Sequence, residues 1–269
     1  MKHTWHTLQN GLKDFCAANG FDKVILGLSG GLDSALTAVL AADALGGKNV
    51  KAIMMKTRYT SDLSIKIARE IARLNGLDYQ ELDIEPLVTA ETDFLQRAFG
   101  ESVKGITAEN LQARIRGQLL MAFSNQNGGL VLACGNKSEA LTGYCTLYGD
   151  TCGGLMPIGN LYKTTVFDLA RWRNTQSRAL PEEVITRAPS AELAEGQKDE
   201  NSLPPYPVLD AVLRLLTDEQ KTPEEACAAG FAPATVEQVC RLVARSAFKR
   251  RQMAPALDIL SPAEKSKPP

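Results

Sequence analysis

The 269-residue chain lacks several features that often assign a protein to a class. Its two histidines, His3 and His6, form an HxxH near the N-terminus, and with no third histidine in the chain they are not expected to hold a metal. The six cysteines, Cys16, Cys134, Cys145, Cys152, Cys227 and Cys240, include no CxxC pair. That absence removes the common zinc and dithiol motifs, and the thiols read as reduced and mostly buried. The formal net charge is −1, so no basic surplus argues for nucleic acid. No apolar run approaches the ~20 residues a membrane span requires. The opening MKHTWHTLQNGLKDF has no apolar signal core and reads as an amphipathic helix, which leaves a cytoplasmic location as the default expectation. No internal repeat is visible, and the length suits a single α/β unit.

What the chain does have begins at Lys23, with KVILGLSGGLDSAL. Val24, Ile25, Leu26 and Leu28 read as a buried strand, Ser29-Gly30-Gly31-Leu32-Asp33-Ser34 as a tight turn, and Ala35 onward as an apolar helix. Glycines let backbone approach an anion closely, and the unpaired N–H groups of a helix start point toward it. The Ser29 and Ser34 hydroxyls add donors. Asp33 would repel phosphate oxygens unless a cation lies between them, so it reads as a ligand for Mg²⁺, which favours oxygen donors. The loop is not the Walker type, whose GxxxxGK[ST] requires a lysine that is absent here.

Further strands are expected at 50–55, 79–84, 130–134 and, as a fifth, Glu183–Arg187, with helices over Ala35–Leu45, Ile65–Leu74 and much of 86–100. Strand–helix alternation with short links predicts a parallel sheet covered on both faces, with ligands at the carboxyl ends of its strands. The helix that follows Thr107 carries Asn110 and Arg114 on one face, with Arg116 pointing elsewhere. Arginines in an apolar helix need carboxylates, an anionic ligand or a subunit contact. A second strand-to-helix turn, Gly135-Asn136-Lys137-Ser138-Glu139, should meet the same rim as the first. Glu139 with Asp33 would then suit a Mg²⁺ that neutralises pyrophosphate as it leaves. Cys134, Cys145 and Cys152 flank these motifs. Residues 190–207 read as a lid over a nucleotide, with a solvated linker as the alternative. Helices fill the region from Val208 to Phe248, and the last residues, 261–269, are expected to be a disordered tail.

The SGGLDS loop resembles the pyrophosphate loop of the N-type ATP pyrophosphatases, which split ATP between its α- and β-phosphates. Within that superfamily the ordered series YTSDLS, ENLQARIRG, GNKSEALTGYCTLYGD, PIGNLYKT, PSAEL, QKDENSLPPY and FKRRQ is similar to the motifs of NAD synthetases. A tRNA thiolase would want a cysteine pair and a basic face, and a non-catalytic nucleotide sensor would be expected to lose Asp33 or Glu139. Lys56 departs from the family's pattern, since relatives often carry proline there.

The resemblance implies a three-layer fold of the adenine nucleotide alpha hydrolase type, with a parallel five-stranded doubly wound sheet and C-terminal helices, as one domain over 1–260. It implies ATP-dependent amidation of deamido-NAD through an NAD-adenylate, with ammonia as nitrogen donor and AMP and pyrophosphate as products. By motif, Ser29, Gly30, Gly31, Asp33, Ser34, Lys163 and Ser190 are expected to bind ATP, and Asp33 and Glu139 to hold Mg²⁺. Lys163 and Lys249 would stabilise charge, Asn110, Arg114 and Lys249 would meet the dinucleotide, and Asp150 would act near the ammonia. A homodimer is expected. The motif wording is nearer to the synthetase half of glutamine-dependent enzymes than to the short ammonia-dependent ones. About twenty residues precede the first strand, too few for a glutaminase domain. The chain is therefore expected to use free ammonia, to receive it from a separate glutaminase subunit, or to be a fragment; Met1 opening an intact helix favours completeness.

Overall fold

In the computed structural model, which describes residues 1–187, 192–194, 196 and 202–259, four parallel strands form one sheet. They are β1 (Val24–Gly27), β2 (Val50–Lys56), β3 (Asp78–Asp83) and β4 (Leu130–Val131), in the spatial order β3-β2-β1-β4. The chain steps outward from β1 to β3, then returns to pair β4 on the other side of β1. That reversal places the switch point of the sheet between β1 and β4, and the crevice outside their carboxyl ends is where a doubly wound fold takes its ligand.

Alternate side chains of β1 enter opposite cores, as period-two geometry requires. Val24 and Leu26 join one apolar cluster with α1 (Lys2–Ala18), α2 (Leu32–Leu45), α3 (Asp62–Asn75) and α7 (Lys163–Gln176). Ile25 joins the other, with Ile53, Met55, Ile84 and Val131 and with Leu111, Ile115 and Leu120 of α5 (Ile106–Asn127). Trp5, Leu8, Leu12 and Cys16 form the buried stripe of α1, at helical spacing. Ser61 caps α3 by accepting the Ser64 N–H, and Gly76 ends it in the left-handed conformation at φ 62.

A helix, α4 (Glu85–Phe99), joins β3 to α5 and has no buried residue in the isolated chain. After β4 come α6 (Lys137–Thr142) and, beyond α7, the short α8 (Glu182–Thr186). A third apolar cluster gathers Tyr162 with Tyr206, Leu209, Val212, Val236 and Val239. It unites α9 (Tyr206–Leu213), α10 (Pro223–Ala228) and α11 (Pro233–Arg245), and α12 (Ala247–Arg250) closes the helical end.

The expected fifth strand at Glu183–Arg187 is a helix instead, α8. Its β-branched residues favour extension, but Glu182 and Glu183 fall in the first turn, where the helix dipole favours acids, and the Thr186 hydroxyl donates back to the Glu182 carbonyl at 3.1 Å. Beyond β4 the sheet continues among the described residues only as single parallel bridges, Leu132 with Leu155 and Met156 with Ala256. Only 192–194, 196 and 202–207 of the segment expected to form a lid belong to the described residues; Ser190 and the 261–269 tail lie outside them.

Candidate active site

The turn after β1 is built by its own hydroxyls. The Ser34 hydroxyl donates to the Gly31 carbonyl at 3.0 Å and accepts the Ser29 N–H at 3.2 Å, while the Ser29 hydroxyl accepts the Gly31 N–H at 3.2 Å. Ser34 is buried by this role. Gly30 has φ +82, and a β-carbon there would collide with the Ser64 carbonyl at the start of α3. Only glycine gives both the left-handed turn and the close approach. Gly31 is the residue before α2 and Asp33 lies in the first turn of that helix, so N–H groups and a carboxylate share one rim.

The turn after β4 comes to meet it. Asn136 and Glu139 form a reciprocal cap on α6: the Asn136 side chain accepts the Glu139 N–H at 3.0 Å, and Glu139 Oε2 accepts the Asn136 N–H at 3.3 Å. The Asn136 amide then donates to Asp33 Oδ1 at 2.9 Å, bridging the two turns. Lys163, first residue of α7, brings its ammonium between the carboxylates. It pairs with Asp33 Oδ2 and lies 3.3 Å from Glu139 Oε1. The lysine side chain is 3% exposed, against 18% and 17% for Asp33 and Glu139. A buried cation of this kind is held by its carboxylates, and removing either kind of partner leaves charge uncompensated at a cost of about 3–5 kcal/mol.

Behind Lys163 stands Asp210 of α9, itself 1% exposed. It accepts from the Ser138 hydroxyl at 2.5 Å and from the Thr164 N–H at 2.8 Å, and Ser138 Oγ in turn accepts the Lys163 N–H at 2.9 Å. The C-terminal helices thereby fix the starts of α6 and α7, and with them Glu139 and Lys163.

Asp33, Asn136, Glu139 and Lys163 line a cavity of about 300 Å³ that runs from the glycine loop across β1 and β2 to α5 and the 144–152 loop. That volume lies at the small end of ligand pockets, roughly 300–1,000 Å³. Ser29, Gly30, Gly31, Asp33, Ser34, Glu139, Asp150 and Lys163, all expected at the site, line it. Asp150 accepts the Thr146 N–H at 2.7 Å. The protein packed around its carboxyl pushes it up to about 6, although the residue as a whole stays open to solvent. Three other expected residues do not line the cavity. Lys249 donates to the Gly143 and Cys145 carbonyls at 2.8 and 2.6 Å, bracing the loop beneath Asp150. Asn110 accepts from the Thr146 hydroxyl at 2.6 Å, and exposed Arg114 donates to the Leu147 carbonyl at 3.3 Å.

The α5 residues at the cavity are Ala113, Arg116, Gly117 and Leu120, a stripe at i, i+3, i+4 and i+7. Arg116 donates from Nε to the Met55 carbonyl at 3.0 Å, and burial pulls its guanidinium down to about 10, so it stays charged at neutral pH. Lys137, expected at the rim, faces away and pairs with Asp218 at 2.6 Å. At the α3 end, Glu192 accepts from the Ser61 and Ser64 hydroxyls at 2.9 Å each and pairs with Arg187. Cys134, Cys145 and Cys152 do line the cavity, but burial pushes Cys134 and Cys145 up to about 12 and Cys152 upward as well, so they are neutral thiols at physiological pH.

Asp33 and Glu139 converge on one cation, and the Asn136 amide that meets Asp33 is a donor, not a ligand. Among the described residues no group of three or more His, Cys, Asp and Glu side chains is arranged to hold a metal. Two carboxylates fit Mg²⁺ when phosphate oxygens and water complete its shell, and do not fit a metal bound by protein alone.

A glycine turn, a helix start and a buried lysine between two acids, at the switch point of a parallel sheet, define a nucleotide-binding α/β protein. The family model for NAD synthase matches residues 4–253, and the chain belongs to that family. A glutamine-dependent NAD(+) synthetase of Xanthomonas campestris pv. campestris is 51% identical over 253 residues, covering 93% of this chain and 46% of that protein. A structure of the glutamine-dependent NAD+ synthetase from Acinetobacter baumannii, in complex with ADP, is similar at TM-score 0.68 and 45% identity, over 93% of this chain and 45% of that one. The NH3-dependent NAD synthetase of Campylobacter jejuni is similar at TM-score 0.76 and 27% identity, over 97% and 98% of the two chains. The chain spans about half the length of the curated relatives it matches.

Proposed function

We propose that the chain converts deamido-NAD to NAD, using ATP and ammonia and releasing AMP and pyrophosphate. The observation that carries this reading is the convergence of Asp33, Glu139 and Lys163 on the glycine loop of a chain in the NAD synthase family. A carboxylate is a poor acyl donor because its leaving group would be oxide. In the first step a nicotinate carboxylate oxygen attacks the α-phosphorus of ATP, the bond to the β-phosphate oxygen breaks, and pyrophosphate departs with its electrons. The Gly30–Gly31 turn, the start of α2 and Lys163 neutralise the charge that collects there. Mg²⁺, held by Asp33 and Glu139 with the phosphates, would supply further charge neutralisation when bound.

In the second step ammonia attacks the adenylated carbonyl, AMP leaves, and one proton must be removed from nitrogen. Asp150, with its carboxyl at about 6, is charged at neutral pH and suits that acceptance. Ser190 is proposed as a hydroxyl near the phosphates on motif grounds alone. Asn110 and Arg114, with Lys249 behind them, support the 143–147 loop, and we assign them to the dinucleotide side of the site.

A homodimer is proposed as the working unit, because α4 packs on the core only through the half-buried Val88 and Leu95 and leaves Leu87, Phe94 and Phe99, with Ile106 at the start of α5, exposed. The cytoplasm is the proposed compartment, since all six cysteines are free thiols. A second reading is favoured by the half-length match to glutamine-dependent relatives: the same synthetase chemistry, fed with ammonia by a glutaminase domain or subunit. The test is NAD formation from deamido-NAD, Mg-ATP and a nitrogen source. Ammonium should support it with AMP and pyrophosphate released in equal amounts, and glutamine should not. Turnover with glutamine as sole donor would overturn the ammonia assignment, and no NAD with ammonium would overturn the function.

A further inference from the structure

We infer that the Lys163 ammonium and a divalent cation are alternative occupants of the Asp33–Glu139 carboxylate pair, so that the chain takes up metal only together with nucleotide. The inference rests on the ATP reading above and adds an order of assembly to it. Lys163 bonds Asp33 Oδ2 and lies 3.3 Å from Glu139 Oε1, the same two carboxylates that suit a metal beside triphosphate. The lysine stem is fixed at its root, where the Lys163 N–H is bound by Ser138 and the neighbouring Thr164 N–H by Asp210. Only the flexible end of the side chain can move.

Charge decides what that end does. Without ligand, the buried ammonium of Lys163 bonds both carboxylates, so a free metal must displace it to enter and gains little by doing so. A divalent cation added to this arrangement would stand within a few ångströms of the ammonium in a half-buried site, where like charges repel strongly. Triphosphate changes the sum. Its negative charge can accept the ammonium and complete the metal's oxygen shell, so that lysine and metal no longer depend on the same oxygens. The Tyr206 ring lies 5.2 Å from Nζ, so the ammonium meets an aromatic face while it is bonded to the carboxylates. Lys163 thus has two duties in sequence: it holds the carboxylates apart from free metal, then turns to the phosphates that bring the metal in.

The test is a Mn²⁺ titration of the full chain, read as free Mn²⁺ by electron paramagnetic resonance, without nucleotide and then with α,β-methylene-ATP. Without nucleotide, the wild type and Lys163→Arg should bind Mn²⁺ weakly. Lys163→Met should bind it about tenfold tighter or more, as expected when one nearby like charge is removed. If Lys163→Met does not fold, Lys163→Gln keeps hydrogen-bond donors beside both carboxylates without the charge and must show the same gain. Unchanged or weaker Mn²⁺ binding in the folded neutral variant overturns the competition. Binding of α,β-methylene-ATP to the wild type, followed by calorimetry, separates the two claims. No nucleotide binding condemns the ATP reading itself, whereas nucleotide binding with no gain of metal affinity condemns only the inference.

Discussion

At the scale of single residues, the site is a set of charges whose positions are set by hydrogen bonds from behind. Asp150 gives the sharpest prediction. Its folded carboxyl titrates at about 6 against 3.8 for the ordinary group. The folded chain therefore binds that proton more tightly than the unfolded chain. The group's contribution to stability is fully present below pH ~4 and is lost as pH rises toward 6. Asp150→Asn should raise stability at pH 7.5 by roughly 1 kcal/mol, a figure reduced for solvent screening of an open residue, and the gain should vanish near pH 4. In the reaction, the same variant should still release pyrophosphate while NAD formation falls about 100-fold, and the wild-type rate should fall as pH drops through 6. Equal loss of both products would remove Asp150 from the ammonia step. Arg116 offers a second prediction. Arg116→Met should raise KM for ATP about tenfold with kcat nearly unchanged, the effect of losing one charge-assisted contact in the pocket. A fall in kcat at constant KM would instead place Arg116 at the transferring phosphate.

The residue scale is also where sequence and structure differ most instructively. Ser29, Gly30, Gly31, Asp33 and Ser34 were legible because strand, glycines and helix start are contiguous. Glu139 was legible beside Asp33 because a second strand-to-helix turn must meet the same rim, but the seating of the Lys163 ammonium between the two carboxylates was not, since it depends on Ser138 and Asp210 fixing the start of α7. Arg116 lines the cavity and Arg114 does not, although the two stand only two positions apart on α5. A stripe of Ala113, Arg116, Gly117 and Leu120 was the available signal: a small pair beside a cation on one face reads as a wall against which a ligand can lie. Gly117 has the further task of admitting the Tyr148 carbonyl, which a β-carbon would strike at 2.6 Å.

At the scale of elements, the starts of α2, α6 and α7 meet because three links tie them: Asn136 to Asp33, Ser138 to Lys163, and Asp210 to both α6 and α7. Asp210 belongs to α9, far along the chain, and no local pattern marks it. Removing it strands two buried donors. Asp210→Ala should cost about 3 kcal/mol in urea unfolding, where Ser138→Ala costs about 1 kcal/mol. It should also lower kcat beyond the effect on stability, measured at a temperature where the variant is folded. A variant with lost stability and unchanged kcat would confine Asp210 to holding the fold. The strand misread at Glu183–Arg187 belongs to this scale too. Five residues rich in β-branched side chains cannot be assigned by periodicity, and the capping environment of Pro181, Glu182 and Glu183 decided the outcome.

For the whole molecule, the layered fold was readable from strand–helix alternation, while the exposed outer face of α4 was not. No residue of the 15-residue α4 is fully buried, and Phe94 on it is 63% exposed, while Ile106 at the start of α5 is 74% exposed, large apolar groups left to solvent in the isolated chain. If a second copy covers it, Phe94→Glu with Ile106→Glu should give a monomer by light scattering, with the circular dichroism of the fold intact. The monomer should show weaker use of deamido-NAD, because Asn110 and Arg114 lie on α5, the helix that Ile106 opens. A dimer that persists in the double variant would move the contact elsewhere.

Asp33, Lys163 and Glu139, gathered on the glycine loop, are proposed to activate the nicotinate carboxylate of deamido-NAD by adenylation. The measurement that tests it most directly is exchange of labelled pyrophosphate into ATP with Mg²⁺ present and ammonia absent, which reads the first step alone. Exchange is expected to require deamido-NAD and to disappear in Asp33→Ala and Glu139→Ala. Exchange that proceeds without deamido-NAD, or survives both substitutions, would contradict it.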